Sequence, residues 1–500
     1  MADLPPRDPP VPVSTSVPVS FQLGTGASIY TGTLIPAILS AKHEIILVTC
    51  FWAPSDSLSA LRGALEKITA KRTSLVRQGN SLPPLRISLC LSSRSLLQKL
   101  FHTSSPDGYL YPPSSWPKQL GLPNQAILEA GGINLTVKSL FFLPFSVMHP
   151  KFLIIDRQRA FIPSCNISWE VWLEGCVEIR GAALADLLAF YSSTWDRTLD
   201  TRSGIPASLE EGGSTSNRPG SQPPLQPVAA HAHYLHAFPP TQADITTLIL
   251  PSPHCRHPHF RPFPWQAAPP VPPTPLNSAL LRLFDEATVS IYIQTPNLTS
   301  APVISTLLAA LQRGVNVTIV TSRNMMWLEQ IVTAGTLTSW CIRSMIRRYQ
   351  SMCSASIIPS QRAARGSHRR LDSEERGVTD QEAALEAQDS RPGRLSISYF
   401  RPREAGKSRG GEGEGADLEG GAGADATMEE PVHSHLKLTI ADGRRTVLGS
   451  GNMDRASWYT SQELGVLFDD ADFAAAVGAA VARVLDGRLE PIFDSESSWR

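Results

Sequence analysis

Aliphatic and β-branched runs alternate along the chain with stretches whose apolar residues fall at helical spacing, and the alternation is made twice. In the first pass IILVTCFW (45–52) reads as a strand, SLSALRGALEKIT as a helix, and LRISLCLSS, after Pro83 and Pro84, as a second strand. In the second pass LNSALLRLFDEA reads as a helix, VSIYIQT as a strand, SAPVISTLLAALQRG as a helix with a glycine stop, and VNVTIVTS as a strand. Strands separated by helices predict an α/β fold with parallel, largely buried sheets. Each pass then leads into a strand that begins with His-x-Lys, so the order predicts an internal duplication into an N-terminal lobe over 21–200 and a C-terminal lobe over 247–500.

The stretches that break this pattern are expected to be disordered. They are a proline-rich tail over 1–20, a linker over 201–246 containing EGGSTSNRPGSQPPLQP, and insertions at 352–393 and 403–430. The last is glycine-rich and acidic, and it immediately precedes His435, where it would repel polyanions from a site mouth. Residues 325–348 read as one long helix. Trp327, Trp340, Arg343, Arg347 and Arg348 suit a lipid interface, although a core-packed helix with a charged end is the simpler reading. The segment from Phe51 to Asp56 could likewise meet lipid, or lead into its helix with Ser55 or Asp56 near the N-cap.

Composition narrows the function classes. Among 500 residues, Lys+Arg and Asp+Glu are both 45, so the basic surplus typical of nucleic-acid binders is missing. The seven cysteines have no paired spacing, which suits reduced thiols inside the cell. The first residues lack a secretory or transit pattern, and no apolar run reaches the roughly 18 residues of a membrane span. The expectation is an intracellular protein, cytoplasmic or peripheral on a membrane, with mitochondrial attachment left open. His254, His257 and His259 with Cys255, and separately His231, His233 and His236, sit in irregular sequence without zinc-ligand spacing, so no metal or cofactor is expected. RAARGSHRR is followed at once by acidic residues and reads as solvated chain.

The candidate chemistry lies in two matched segments. MHPKFLIIDRQRAFIPSCN holds His149, Lys151 and Asp156, and SHLKLTIADGRRTVLGSGN holds His435, Lys437 and Asp442. Each segment ends in a small-residue turn, with Ser164 and Asn166 in the first and Ser450 and Asn452 in the second. His and Lys one residue apart on a strand share a face, whereas the Asp falls on the other and is expected to anchor the following turn. Two such sets facing one another would suit a phosphodiester. Lysines, amides and hydroxyls meet its nonbridging oxygens, one imidazole attacks phosphorus, and the other protonates the leaving oxygen. A carboxylate behind each imidazole would orient it. Glu174 and Glu463 occupy comparable places downstream of each motif, and Glu178 is an alternative because it lies at nearly the same distance past Asn166 as Glu463 does past Asn452.

On these residues the chain resembles the phospholipase D superfamily, whose signature is His-x-Lys-x4-Asp-x6-Gly-Ser-x-Asn. The second copy matches throughout, including Gly449, while the first has Pro163 where the family has glycine, which implies a stiffer turn with the site intact. The phrases HPKFLIIDRQRAFIPSCNISWE and CFWAPSDSLSAL look like uncharacterised fungal members with a cardiolipin-synthase-like arrangement. The resemblance implies two α/β/α lobes with the site at their interface. It implies phosphodiester hydrolysis or transphosphatidylation through a phosphohistidine, while the neutral net charge and the apolar 325–348 segment favour phospholipid as the substrate. His149 is then the tentative nucleophile and His435 the acid and base, with exchangeable roles. A nuclease or DNA-adduct phosphodiesterase, and an inactive phospholipid-binding protein, are the alternatives.

Overall fold

A computed structural model describes residues 12–95, 98–99, 107–142, 146–199, 234–236, 244–253, 270–367, 391–403 and 430–496. The fold is mixed α/β. In the first half, strands Glu44–Phe51, Leu85–Ser93 and Ile133–Ser139 lie side by side in parallel. Strand Phe152–Ile155 closes the other edge of Glu44–Phe51 antiparallel, and hairpin strand Arg159–Pro163 follows it. In the second half, Ser290–Gln294, Asn316–Ser322 and Leu395–Phe400 are parallel, with Leu438–Ala441 antiparallel on Ser290–Gln294 and Arg445–Gly449 as its hairpin partner. The sheet is therefore mixed rather than all parallel. The short turns after Ile155 and Ala441 leave no length for the crossover a parallel pairing needs.

The turn aspartates explain the order of these strands. Asp156 and Asp442 adopt left-handed backbone, with φ of 51° and 52°. Asp156 accepts from the amides of Lys42, His43 and Glu44 at 2.9, 2.8 and 2.8 Å. Asp442 accepts from those of Thr288, Val289 and Ser290 at 3.0, 2.8 and 2.9 Å. Each carboxylate thus pins the start of its half's first parallel strand to the turn that follows the His-x-Lys strand.

Strand Ser14–Thr25 joins the halves. It runs antiparallel to Trp172–Arg180, and its first residues pair with Ile245–Ser252, which in turn pairs with Glu463–Asp469. The alternation VPVSTSVPVSF is thus strand from Ser14 onward, so the tail expected over 1–20 is too long. The prolines hid this, and the ladder shifts register between Pro18 and Ser20, where the missing amide forces a bulge. One buried cluster belongs to the first half and one to the second. A third draws Phe21, Leu23, Ile46 and Leu173 together with Leu436, Leu448 and Val466 from across the chain.

Two further expectations change. Residues 325–348 are not one helix, because helix Trp327–Ala334 ends at Gly335 in left-handed conformation (φ 65°) and a second begins at Thr338. That second helix, Thr338–Ser367, runs into the insertion expected from 352. Tyr234–His236 forms a short strand on Phe21–Leu23 within the expected linker. The rest of the linker, the histidines at 231, 233, 254, 257 and 259, Cys255 and nearly all of 403–430 lie outside the described residues. Ser55 caps helix Asp56–Arg77, accepting from the Leu58 amide at 3.2 Å, and Trp52 is buried, so that part of the segment is structural. Among the described residues, no helix is long and apolar enough to cross a membrane.

Candidate active site

Both His-x-Lys pairs sit just before a strand rather than within it. His149 precedes Phe152–Ile155 and His435 precedes Leu438–Ala441. Each is tethered to the other half. The His149 amide donates to the Gln462 carbonyl at 3.0 Å, and the His435 amide donates to the Leu173 carbonyl at 2.8 Å. Lys151 and Lys437 turn back to donate to the carbonyls of His149 and His435, at 2.8 and 2.7 Å. Burying these two ammonium groups costs several kcal/mol each unless anions face them.

The anions come from across the molecule. His149 Nδ1 lies 2.9 Å from Glu463, and His435 Nδ1 lies 2.8 Å from Glu174. Each glutamate therefore serves the imidazole of the opposite half. Glu178, the alternative by spacing, instead bonds Arg159 at 2.8 Å and Arg180 at 3.3 Å. The stretch between Asn and Glu is three residues longer in the second copy, which is why equal spacing points to the wrong carboxylate.

The serine hydroxyls, expected to donate to nonbridging phosphate oxygens, donate to the glutamates instead. Ser164 donates to Glu174 and accepts from the Gly175 amide at 2.9 Å. Ser450 donates to Glu463 at 2.5 Å and accepts from the Leu464 amide at 3.0 Å. They fix the carboxylates that fix the imidazoles. Pro163 leaves this arrangement unchanged, since the Ser164 amide still donates to the Gly175 carbonyl at 2.8 Å, as Ser450 does to Leu464 at 2.9 Å. Gly449 has no such freedom. At φ 156°, an added Cβ would fall on the Leu464 carbonyl oxygen and against Gly465. Gly449→Ala is expected to cost about 2 kcal/mol or more, read as a lower urea midpoint, and an unchanged midpoint would contradict the packing described.

The asparagines differ. Asn166 accepts from the Phe51 amide at 3.2 Å, which leaves its NH2 available. Asn452 donates to Asp454 at 3.0 Å, and its carbonyl oxygen is buried without a partner among the described residues. Burial, followed by the charge of Glu463, raises the Asp454 carboxyl above its ordinary range. Asp454 also caps helix Arg455–Tyr459 through the Ser457 amide at 2.8 Å. Sequence reasoning missed this residue, although Asp before a short helical run is a capping signal. It also missed Trp172, whose ring centre lies 4.8 Å from that of His435. Trp172 and Glu174 alternate onto one face of their strand, so the spacing carried the information.

Burial sets the protonation states. It lowers His149 and His435, with Glu463 and Glu174 opposing the effect. Burial acts most strongly to raise both glutamates, but the facing histidine together with the serine hydrogen bonds, and Lys437 at Glu174, holds each below the usual carboxylate range. Each pair is then a carboxylate accepting from Nδ1–H, which leaves the Nε2 lone pair for chemistry. Lys437 is lowered to about 7 by burial, with Lys151 adding to the shift. Lys437 acts on His149 and Lys151 on His435, so the two half-sites share one electrostatic environment. His149 is the more open imidazole, with its side chain 13% exposed against 3% for His435. Among the described residues no cluster could hold a metal ion.

No family model and no curated protein matches the chain. Among solved structures, it is similar to phosphatidylserine synthase of Haemophilus influenzae Rd KW20, at 13% identity over 96% of this chain and 89% of that one, with a TM-score of 0.48. It is also similar to Nuc, a phospholipase D family member from Salmonella typhimurium, at 12% identity over 49% of this chain and 96% of that one, with a TM-score of 0.24. Polyphosphate kinase from Porphyromonas gingivalis matches at 10% identity over 92% of this chain and 48% of that one, with a TM-score of 0.40. Identities and TM-scores this low leave the functional reading to the site itself.

Proposed function

We propose that the chain is a phospholipase D-type phosphodiesterase or phosphatidyltransferase, built from two related lobes, that acts on phospholipid through a phosphohistidine. The observation that carries this reading is the pair of buried His-x-Lys sets whose imidazoles are each held by a glutamate of the opposite half. A single such histidine and carboxylate would be a common structural pair. Two of them beside two buried lysines form a site for one anion that must be attacked on one side and protonated on the other.

In this reading His149, the more open imidazole, attacks phosphorus through Nε2, and the bond to the leaving alcohol breaks. The alcohol oxygen takes its proton from Nε2 of His435. Burial holds both imidazoles neutral, and an entering anionic diester lowers the cost of protonating His435. The neutral His435 then removes a proton from water or an alcohol, which attacks phosphorus and breaks the bond to His149. Lys151, Lys437 and the amide of Asn166 meet the nonbridging oxygens. Glu174 and Glu463 stay ionised and act as positioning residues.

Mixed phospholipid vesicles incubated with the protein and a primary alcohol test the substrate class. Mass spectrometry is expected to find phosphatidic acid and a phosphatidyl-alcohol, or cardiolipin, with none from His149→Ala or His435→Ala protein. A folded protein that leaves every lipid unchanged would end the phospholipid reading and make single-stranded DNA and RNA the next substrates.

The lysine gives a pH prediction. The charged form of Lys437 holds the anion, and it is present below about 7 and lost as the pH rises through that value. The ratio kcat/KM should therefore fall on the alkaline side of neutrality. Lys437→Arg, which keeps its charge, should move that limb upward even at reduced activity. A profile flat well into the alkaline range in the wild-type protein would show that Lys437 does not titrate there.

A further inference from the structure

The mouth of the site carries apolar side chains that the fold does not cover. Helix Trp327–Ala334 leaves Trp327, Leu328 and Val332 exposed by 57, 60 and 52%, and Trp340, just past the Gly335 turn, is 52% exposed. This helix is bound into the site's floor. Buried Gln330 donates to the Met325 carbonyl at 2.7 Å and accepts from the Thr338 amide at 2.7 Å. Thr338 accepts from the Leu298 amide at 3.0 Å, and Leu298 bridges to Met453, the neighbour of Asn452. The helix packs against Arg455–Tyr459, and Glu329 lies close enough to Asp454 for their charges to repel. The other half has a counterpart. Trp169, three residues past Asn166, is 61% exposed and stands edge-on to Phe51, whose amide donates to Asn166.

Charge accompanies these tryptophans. Arg343 and Arg347 follow Trp340 at three and seven residues on helix Thr338–Ser367 and so share its face, with Arg348 beside them. All three are exposed, and none is paired with a carboxylate among the described residues. Large indole faces left in solvent cost free energy unless a partner or an apolar phase covers them. Exposed tryptophan next to unpaired arginine is the chemistry of a bilayer interface, where the indole sits at headgroup level and guanidinium meets phosphate.

From this arrangement we infer that the site mouth docks on a phospholipid bilayer, with helix Trp327–Ala334 and Trp340 inserted, Arg343, Arg347 and Arg348 on the headgroups, and Trp169 touching down on the opposite rim. The inference deepens the proposed function and rests on it for its purpose, because docking there would present a bilayer-held diester to Lys151 and Lys437 without extracting the lipid. The two readings can nevertheless fail separately.

The test is co-sedimentation with phosphatidylcholine vesicles, with and without added phosphatidylglycerol, alongside turnover of the soluble diester bis-(para-nitrophenyl) phosphate. A Trp327→Ser/Leu328→Ser/Val332→Ser protein is expected to lose about tenfold or more in vesicle partitioning while its turnover of the soluble diester is unchanged. Arg343→Glu/Arg347→Glu should remove the gain given by phosphatidylglycerol. In case the triple variant fails to fold, Trp327→Phe keeps the packing, and its fluorescence should be quenched less by brominated phosphatidylcholine than that of the wild-type protein. Wild-type protein that stays in the supernatant, or a triple variant that sediments equally, overturns the inference. So does a triple variant altered only in its mass by light scattering, which would assign the patch to a second copy of the chain. Patch-dependent sedimentation by a wild-type protein that turns over neither the soluble diester nor the vesicle lipid would leave docking intact and remove the proposed activity.

Discussion

His149→Ala and His435→Ala proteins are each expected to lose turnover by about four orders of magnitude while remaining folded. The loss is this large because neither imidazole has a substitute. Each is the unblocked nitrogen of a pair whose other nitrogen is committed to a glutamate 2.9 or 2.8 Å away. His149 and His435 also precede their strands, against backbone from the other half, so truncation empties a polar site rather than a core. The two variants should differ in what they accumulate. A protein that keeps the nucleophile but lacks the acid still forms an adduct from a diester with a good leaving group, such as para-nitrophenol. A protein that lacks the nucleophile does not. In this reading His435→Ala accumulates the adduct and His149→Ala does not. The reverse outcome would exchange the two roles, and retention of full turnover by either variant would remove that histidine from the chemistry.

Glu174→Gln and Glu463→Gln are expected to lower kcat by about a hundred- to ten-thousandfold, with little change in stability. An amide in place of the carboxylate can donate to the imidazole Nδ1, which would favour the tautomer whose proton sits on Nε2. That tautomer cannot attack phosphorus. It would also leave no anion to stabilise the imidazolium when a proton is taken up. The crossing of the pairs gives the prediction its sharper form. Glu174→Gln should add little to His435→Ala, whose imidazole it serves, while Glu463→Gln should add little to His149→Ala. Turnover of the slowed proteins with para-nitrophenyl leaving groups would provide the four corners of each cycle. If the non-additive partners were instead Glu174 with His149, the geometry described here would be wrong.

Much of the fold was legible because local rules dictate it. The strands at 44–51, 85–93, 290–294 and 316–322 were marked by β-branched runs, and the helices between them by apolar spacing. The His-x-Lys, Ser and Asn positions were legible because they lie at fixed offsets within single segments. What could not be read is what depends on the two halves meeting. His149 and Glu463 are 314 residues apart and His435 and Glu174 are 261 apart, so no local pattern assigns each carboxylate to the opposite imidazole. The serine hydroxyls, expected on the nonbridging oxygens, instead donate to glutamates 10 and 13 residues on in their own half, a contact set by the pairing of neighbouring strands that the motif spacing does not encode. The strand from Ser14 was hidden by prolines that a bulge accommodates. The helix break at Gly335 was hidden by apolar residues that continue at helical spacing on either side of a left-handed glycine.

The most direct test of the central claim is to look for the covalent intermediate itself. Wild-type and His435→Ala proteins would be mixed with an excess of fluorescent phosphatidyl-para-nitrophenol, quenched in alkaline detergent to preserve a phosphorus–nitrogen bond, and digested for peptide mass spectrometry. A phosphatidyl group is expected on the imidazole of His149, built up further in the His435→Ala protein and discharged by added alcohol in the wild-type protein. Product release without any histidine adduct, in a protein that turns the substrate over, would contradict it.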